Sequence, residues 1–249
     1  MLKKWGVLLV AVIFILGACS QGQPKKQMPV KTTTSVLRTV KLPKIDHIVI
    51  VVEENHAQRQ ILGNRSAPYM NSLMNQGANL TNYHAIEHPS QPNYLDLFSG
   101  SNQGVTNDRI PNTKFSTPNL ASELIEKNYS FTGYSEDLPS IGFNGESNGA
   151  YARKHNPWVN FTNVPEKVNQ PLEKFPRDFN QLPTVSFVIP NLQHDMHDGT
   201  IKEADHWLMK QLDSYVQWAK TNNSLLIVTW DEDDNSQDNK IPTFFVGQW

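Results

Sequence analysis

An α/β sandwich, with a mostly parallel central sheet and helices on both faces, is the fold this sequence predicts, and three observations predict it. Four runs, Ile48 to Val52, Thr184 to Ile189, Leu225 to Thr229 and Thr243 to Val246, are apolar at consecutive rather than alternate positions. Strands buried on both faces have that pattern. Segments of helical periodicity separate the runs, and strands alternating with helices build parallel sheets. The length, 249 residues, suits one such domain with a sizeable core.

The chain opens differently. Lys3 and Lys4 precede an apolar stretch, Val7 to Leu16, that is short for a membrane span. Leu16-Gly17-Ala18-Cys19 follows and resembles the bacterial lipoprotein signal box, and Cys19 is the one cysteine of the chain. The resemblance implies a signal peptide over residues 1–18, cleavage before Cys19, and lipidation of Cys19 with acyl chains such as palmitate. A plain secretory signal or an N-terminal anchor helix is the alternative. Residues 19–44, rich in Gln, Lys, Thr and Pro, read as a flexible tether, and residues 45–249 as the folded domain. The expected location is extracytoplasmic, lipid-anchored to the bacterial cell membrane. With no second cysteine, the exported domain has to be stable without disulfides.

Within the domain, Tyr129 to Tyr134 reads as a fifth strand. Pro68 to Gln76 reads as a helix with Tyr69, Leu73 and Met74 on one face and Gly77 as its stop. Thr117-Pro118 fits the N-cap and first turn of a helix over Asn119 to Lys127. Thr200 and Glu203 have capping-box spacing, and the helix after them, to about Lys220, places Leu208, Leu212, Tyr215, Val216 and Ala219 on one face.

Active sites of such sheets lie beyond the carboxyl ends of the strands, and acidic clusters follow three of the strands here. Glu53-Glu54-Asn55-His56 follows the first; strand alternation sends Glu53 and Glu54 to opposite sides. A carboxylate and an amide oxygen suit a hard divalent cation, and a solvated strand end is the alternative. Asn191-Leu192-Gln193-His194-Asp195-Met196-His197-Asp198 is richer in ligand types than a solvated loop, with His194 read as structural. In Trp230-Asp231-Glu232-Asp233-Asp234, Asp231 is the best candidate ligand, and Asp233 and Asp234 read as loop solvation. Ser90, in His88-Pro89-Ser90-Gln91-Pro92-Asn93-Tyr94, is a hydroxyl between two stiffening prolines. It reads as a nucleophile that needs a base or metal, or as a capped turn before a helix at Tyr94. Asn93 could donate its amide to a substrate oxyanion. With 24 acidic and 22 basic residues, nucleic acid is not the expected partner, and no obligate protein partner is evident.

Together, Ile48 to Asn55, His88 to Gly100, Phe187 to Asp198 and Val228 to Asp234 resemble the phosphoesterase family of acid phosphatases and bacterial phospholipases C, within the alkaline phosphatase superfamily. The resemblance covers about Ile45 to Trp249. It implies the alkaline-phosphatase-like three-layer sandwich and metal-dependent hydrolysis of phosphate esters. Ser90-Gln91-Pro92-Asn93 is similar to the Thr-x-Pro-Asn nucleophile loop of the related nucleotide pyrophosphatases, which implies Ser90 as nucleophile and Asn93 as a phosphate contact. By the same resemblance Glu54, Asn55, Asn191, Asp195, Asp231 and Glu232 hold divalent metal ions, two of them, from among Ca, Mg, Mn, Fe and Zn. Oxygen donors standing where the superfamily has imidazoles favour a harder ion than zinc. His197, or else His88 or His84, is the expected proton donor to the leaving group. The expected substrate is a small phosphomonoester, with phospholipase C-type diester cleavage as the alternative. Family members continue past Phe244-Phe245-Val246-Gly247, so a further His ligand and a closing helix are expected to be missing here. A bare sheet edge prone to self-association and a non-catalytic phosphate- or cation-binding lipoprotein are the corresponding expectations.

Overall fold

The computed structural model describes residues 44–248. The signal segment, Cys19 and the tether up to residue 43 lie outside the described residues. In chain order the strands are β1 (His47–Glu53), β2 (Ala78–Asn79), β3 (Phe131–Ser135), β4 (Ser147–Asn148), β5 (Tyr151–Ala152), β6 (Asn169–Pro171), β7 (Val185–Ile189), β8 (Ser224–Trp230) and β9 (Thr243–Gly247). The helices are α1 (Gln58–Ile61), α2 (Pro68–Gln76), α3 (Ser90–Ser99), α4 (Leu120–Glu126) and α5 (Ile201–Ala219). Seven strands form one sheet in the order β2-β9-β8-β1-β7-β3-β6, and β4 and β5 form a small hairpin apart from it.

The five central strands β8, β1, β7, β3 and β6 run parallel. Their carboxyl ends therefore share one edge, with Glu53 of β1 level with Trp230 of β8. β9 runs antiparallel to β8, and β2 pairs with its outer side at Ala78 and Asn79. The edge expected to be bare is thus partly covered. Among the described residues, no helix is long and apolar enough to cross a membrane.

Alternation along β1 divides the core. Val49 and Val51 pack with Leu73, Leu208, Leu212, Tyr215 and Val216 on the side of α2 and α5. Val52, with Ile48 and Ile50, packs with Tyr94, Phe98, Trp158 and Phe187 on the side of α3. Both faces of the strand are buried, which is why its sequence is apolar without interruption. α5 is capped as its sequence predicts: the Thr200 side chain accepts from the Glu203 N–H, and the Glu203 carboxylate accepts from the Thr200 N–H at 2.9 Å. α4 differs. Its N-cap is Asn119, whose side chain accepts from Ser122 N at 3.0 Å while Ser122 Oγ accepts from Asn119 N. Thr117 and Pro118 stand outside the helix because Asn119 itself supplies the better cap.

β3 turns its flat face to a bulky partner at Gly133. A Cβ on Gly133 would lie 2.2 Å from the Trp158 ring, and Trp158 is fully buried, with its indole N–H donating to Asn169 Oδ1 at 2.8 Å. Gly133→Ala is expected to destabilise the domain by about 2 kcal/mol or more through overpacking. A urea melt checks this, and an unchanged midpoint would show that the indole can shift.

Candidate active site

β1 delivers Glu54 to the sheet edge, and Asn55 then reverses the chain with φ 54°, a conformation Asn tolerates better than most residues. Two hydrogen bonds set the turn: Asn55 N donates to Asp231 Oδ1 at 3.2 Å, and Asp231 N donates to Glu53 O at 3.0 Å. The first and third acidic clusters are thereby joined across the β1–β8 pair. Asn55 Nδ2 donates to Glu54 Oε2 at 3.2 Å.

Ser90 is the first residue of α3, not part of a turn before a helix at Tyr94. It is buried, and its hydroxyl donates to Glu54 Oε2 at 2.9 Å. The second cluster arrives from β7. Asp195 O accepts from Glu54 N at 2.8 Å, and Asp195 Oδ1 accepts from His197 N at 2.8 Å. Met196 between them has φ 78°, strained backbone for such a residue. Its buried side chain holds the reversal that leaves Asp195 and His197 close together.

The residue that completes the cluster is His155, which strand-end reasoning misses. It ends a short 3₁₀ turn, Arg153–His155, after β5, and it stacks on Tyr94 with ring centroids 5.0 Å apart. Its Nε2 lies 3.0 Å from Glu54 Oε1 and its Nδ1 3.3 Å from Asp195 Oδ2. One ligand atom from each of Glu54, His155 and Asp195 falls within 4.8 Å of the others, and all three residues are buried. The one sequence sign of it is the basic run Arg153-Lys154-His155.

The electrostatics match a site built for a cation. Glu54 Oε1, His155 Nε2, Asp195 Oδ2 and Asp231 Oδ2 are buried with no aligned hydrogen-bond partner. Burial, then the Asp231 and Asp195 carboxylates, pushes Glu54 well above the usual carboxylate range. Burial raises Asp195 to about 7. Burial and then Glu232 raise Asp231 to about 7, and burial and then Asp108 raise Glu232 to about 7. Burial, then Lys154, holds His155 well below the ordinary imidazole value, so it presents a neutral ring. Orphaned carboxylate oxygens around a neutral imidazole are a fitting donor set for a divalent ion.

Three side chains make hydrogen bonds within the loops around the site. Asn191 Oδ1 accepts from the N–H groups of Gln193 and His194, and its Nδ2 donates to Asp137 Oδ2 at 2.8 Å. Its amide braces the loop after β7. Asn93 Oδ1 accepts from Glu87 N at 3.0 Å, and its Nδ2 donates to Glu87 O at 2.6 Å and meets Glu232 Oε2 at 3.4 Å. Its amide is committed to the loop before Ser90. Asp233 is buried rather than solvated, and its carboxylate caps the turn over Asn235, Gln237 and Asn239.

Glu232 Oε2 lies 3.0 Å from His88 Nδ1. His197 Nδ1 meets Asp198 Oδ1 at 2.7 Å, and its Nε2 faces Lys154 Nζ at 3.1 Å. His84 has its Nδ1 on the Asp238 carbonyl. His194 Nδ1 meets Glu136 Oε2 at 2.9 Å, which makes it a brace of the loop, as its sequence suggested. Glu53 points to the other side, also buried and without a hydrogen-bond partner, and burial pushes its carboxyl well up.

The model of the phosphoesterase family matches residues 64–245. A Mycobacterium tuberculosis protein named phosphatidylinositol-3-phosphatase is 54% identical over 208 residues, covering 83% of this chain and 70% of its own. A Penicillium chrysogenum protein named phosphate-repressible acid phosphatase is 33% identical over 192 residues, covering 72% of this chain and 47% of its own. The chain thus spans about half the length of that fungal relative. Among solved structures, an alkaline phosphatase superfamily protein from Vibrio parahaemolyticus superposes with a TM-score of 0.59 at 13% identity, over 82% of this chain and 60% of its own. That likeness bears on the fold, and it is the three-layer fold the sequence predicts.

Proposed function

Because this chain belongs to the phosphoesterase family, a family of hydrolases acting on phosphoric esters, we propose that it is a metal-dependent phosphomonoesterase with Ser90 as its nucleophile. The observation that carries the reading is the 2.9 Å hydrogen bond from the buried Ser90 hydroxyl to Glu54, a member of the buried Glu54-His155-Asp195 group.

Glu54, His155 and Asp195, with Asp231 and Glu232 beside them, would hold one divalent cation. Asn191 is withdrawn from the ligand set and His155 enters it, so an imidazole joins the carboxylates and moves the preference toward Mn, Fe or Zn and away from Ca or Mg. When bound, the cation supplies charge neutralisation for the nucleophile and for the phosphoryl oxygens. Glu54 orients the Ser90 hydroxyl through its hydrogen bond. Ser90 Oγ forms the new bond to phosphorus as the bond to the leaving oxygen breaks, and its proton passes to Glu54 Oε2, which already accepts it in a hydrogen bond. The N-terminus of α3, where Ser90 sits, is a favourable place for the anionic group. The half-buried Lys154 adds a positive charge on the same side. His197, held at Nδ1 by Asp198 and accepting from Lys154 at Nε2, would donate to the leaving oxygen once its ring is protonated and the lysine has turned to the phosphoryl group. Asn93 shapes the loop that carries Ser90. Water then hydrolyses the phosphoseryl ester and frees the serine.

The 54% identical relative, named a phosphatidylinositol-3-phosphatase, favours a monoester on a lipid headgroup over diester cleavage. A Cys19-linked lipid would hold the domain where such substrates lie. The test is release of phosphate from p-nitrophenyl phosphate after chelator treatment and return of Mn²⁺, Fe²⁺, Zn²⁺, Mg²⁺ or Ca²⁺ singly. Short-chain phosphatidylinositol 3-phosphate and bis-p-nitrophenyl phosphate are run beside it. Restored monoesterase activity with one of the first three ions is expected. Diester cleavage without monoester cleavage would overturn the substrate class, and activity insensitive to chelator would overturn the metal.

A further inference from the structure

We infer that Asp108 is a positioning residue that sets the Lys154 ammonium beside Ser90 as the cation for the phosphoryl group, an inference that rests on the phosphomonoesterase reading. Asp108 belongs to the long connection between α3 and α4, in no strand-end cluster. What fixes it is the residue next to the nucleophile. Gln91 is 1% exposed, and its backbone N–H donates to Asp108 Oδ1 at 3.0 Å. Its Nε2 donates to the carbonyls on either side of Asp108, Asn107 O at 2.8 Å and Arg109 O at 2.7 Å. Three hydrogen bonds from one buried side chain and its N–H thus register Asp108 against the first turn of α3. The other carboxylate oxygen, Oδ2, accepts from Lys154 Nζ at 2.9 Å. One carboxylate therefore links the Ser90 turn to the lysine, across 46 residues of sequence.

The link matters because Lys154 has competing attractions. Beyond Asp108, the carboxylates of Glu54 and Asp231 act on its charge, and both belong to the acidic group that would hold the cation. An ammonium released from Asp108 would swing toward those carboxylates, where it would compete with the metal and leave the phosphoryl side. Held by Asp108, it stays near His197 Nε2, at 3.1 Å.

The test is a cycle of Asp108→Asn, Lys154→Met and the double variant in the full chain. Binding of inorganic phosphate and, separately, of Mn²⁺ alone is followed by calorimetry, and melting curves confirm that each variant folds. Asp108→Asn keeps an acceptor for Gln91 and removes the charge. It is expected to weaken phosphate binding about tenfold, the size of one charge-assisted hydrogen bond. Lys154→Met is expected to do the same, and the double variant no worse than either. Asp108→Asn is also expected to weaken Mn²⁺ binding, and Lys154→Met to restore it in the double variant. Additive losses of phosphate binding would make Asp108 a structural brace and overturn the inference. Tighter phosphate binding by Asp108→Asn would overturn it too, since the carboxylate would then be a competitor of the substrate. So would a wild-type chain that binds no phosphate. Ser90-dependent hydrolysis by the wild-type chain decides the phosphomonoesterase reading apart from all of these outcomes.

Discussion

Ser90→Ala is expected to lower kcat for a phosphomonoester by about a thousandfold or more, because no second step can replace a lost covalent nucleophile. The geometry leaves little room for a substitute. Ser90 Oγ is the hydroxyl that donates to Glu54, from the first turn of α3. Removing it also leaves Glu54 Oε2 with one donor fewer in a buried setting, a change of about 1–3 kcal/mol in stability. The melting curve therefore has to be measured beside the rate. Ser99→Ala, at the far end of the same helix, is the matched control. Its hydroxyl donates to the Leu95 carbonyl within the helix, and its loss is expected to leave kcat unchanged. A Ser90→Ala protein that folds and retains full activity would end the serine mechanism.

The second large effect is on stability, and it comes from like charges gathered in a dry place. Asp195, Asp231 and Glu232 are each raised to about 7 in the folded chain, whereas in the unfolded chain they titrate near 4. Between those values the folded state keeps protons that the unfolded state has released. The unfolded state binds fewer protons there, so stability falls as pH rises. The contribution is fully present below about pH 4 and is lost as pH climbs through about 7. The metal-free protein is accordingly expected to melt at a lower temperature at pH 8 than at pH 5.5, the reverse of a protein dominated by surface ion pairs. A divalent cation held as proposed would bind the ionised carboxylates and not the unfolded chain. At about a hundred times its dissociation constant it adds about 2.7 kcal/mol, which for a domain of this size raises Tm by roughly 5–10 °C. The gain is expected to be larger at pH 8 than at pH 5.5. Scanning calorimetry at both pH values, with chelator and with Mn²⁺, reads all four melting temperatures. A metal-free Tm that rises toward pH 8 would show that these carboxylates are not held protonated in the fold.

Much of this arrangement is legible in the sequence because a parallel sheet does the assembling. β1, β7 and β8 are written as uninterrupted apolar runs, and whatever follows each run must emerge at the same edge. Glu54, Asp195 and Asp231 were readable for that reason. α5 was readable because Thr200 and Glu203 cap it through contacts three residues apart. His155, Lys154 and Asp108 were not, because they sit on segments without long regular structure. Their contacts cross 101, 43 and 46 residues respectively, to Glu54, His197 and Lys154. Neither periodicity nor spacing records contacts of that range.

Asn191 and Asn93 show a different limit. Their chemical type was right for a ligand or an oxyanion donor. An amide that can close a nearby turn does so, since it competes for local backbone groups first. Asn119 is the same effect at a helix start, where a local cap displaced Thr117 by two residues. Glu53 and Glu54 were separated correctly by strand alternation, but both proved buried, and residue type alone does not reveal burial of a second acid.

In the proposed reaction the phosphoryl group passes through Ser90. The most direct measurement is acid quenching of the Mn²⁺-loaded protein during turnover of p-nitrophenyl phosphate, followed by mass spectrometry of its peptides. The expected result is a peptide containing Ser90 that has gained the mass of one phosphoryl group, with a burst of p-nitrophenol matching the trapped fraction. Steady turnover with no phosphopeptide at any quench time, or with the phosphoryl group on a histidine peptide, would contradict it.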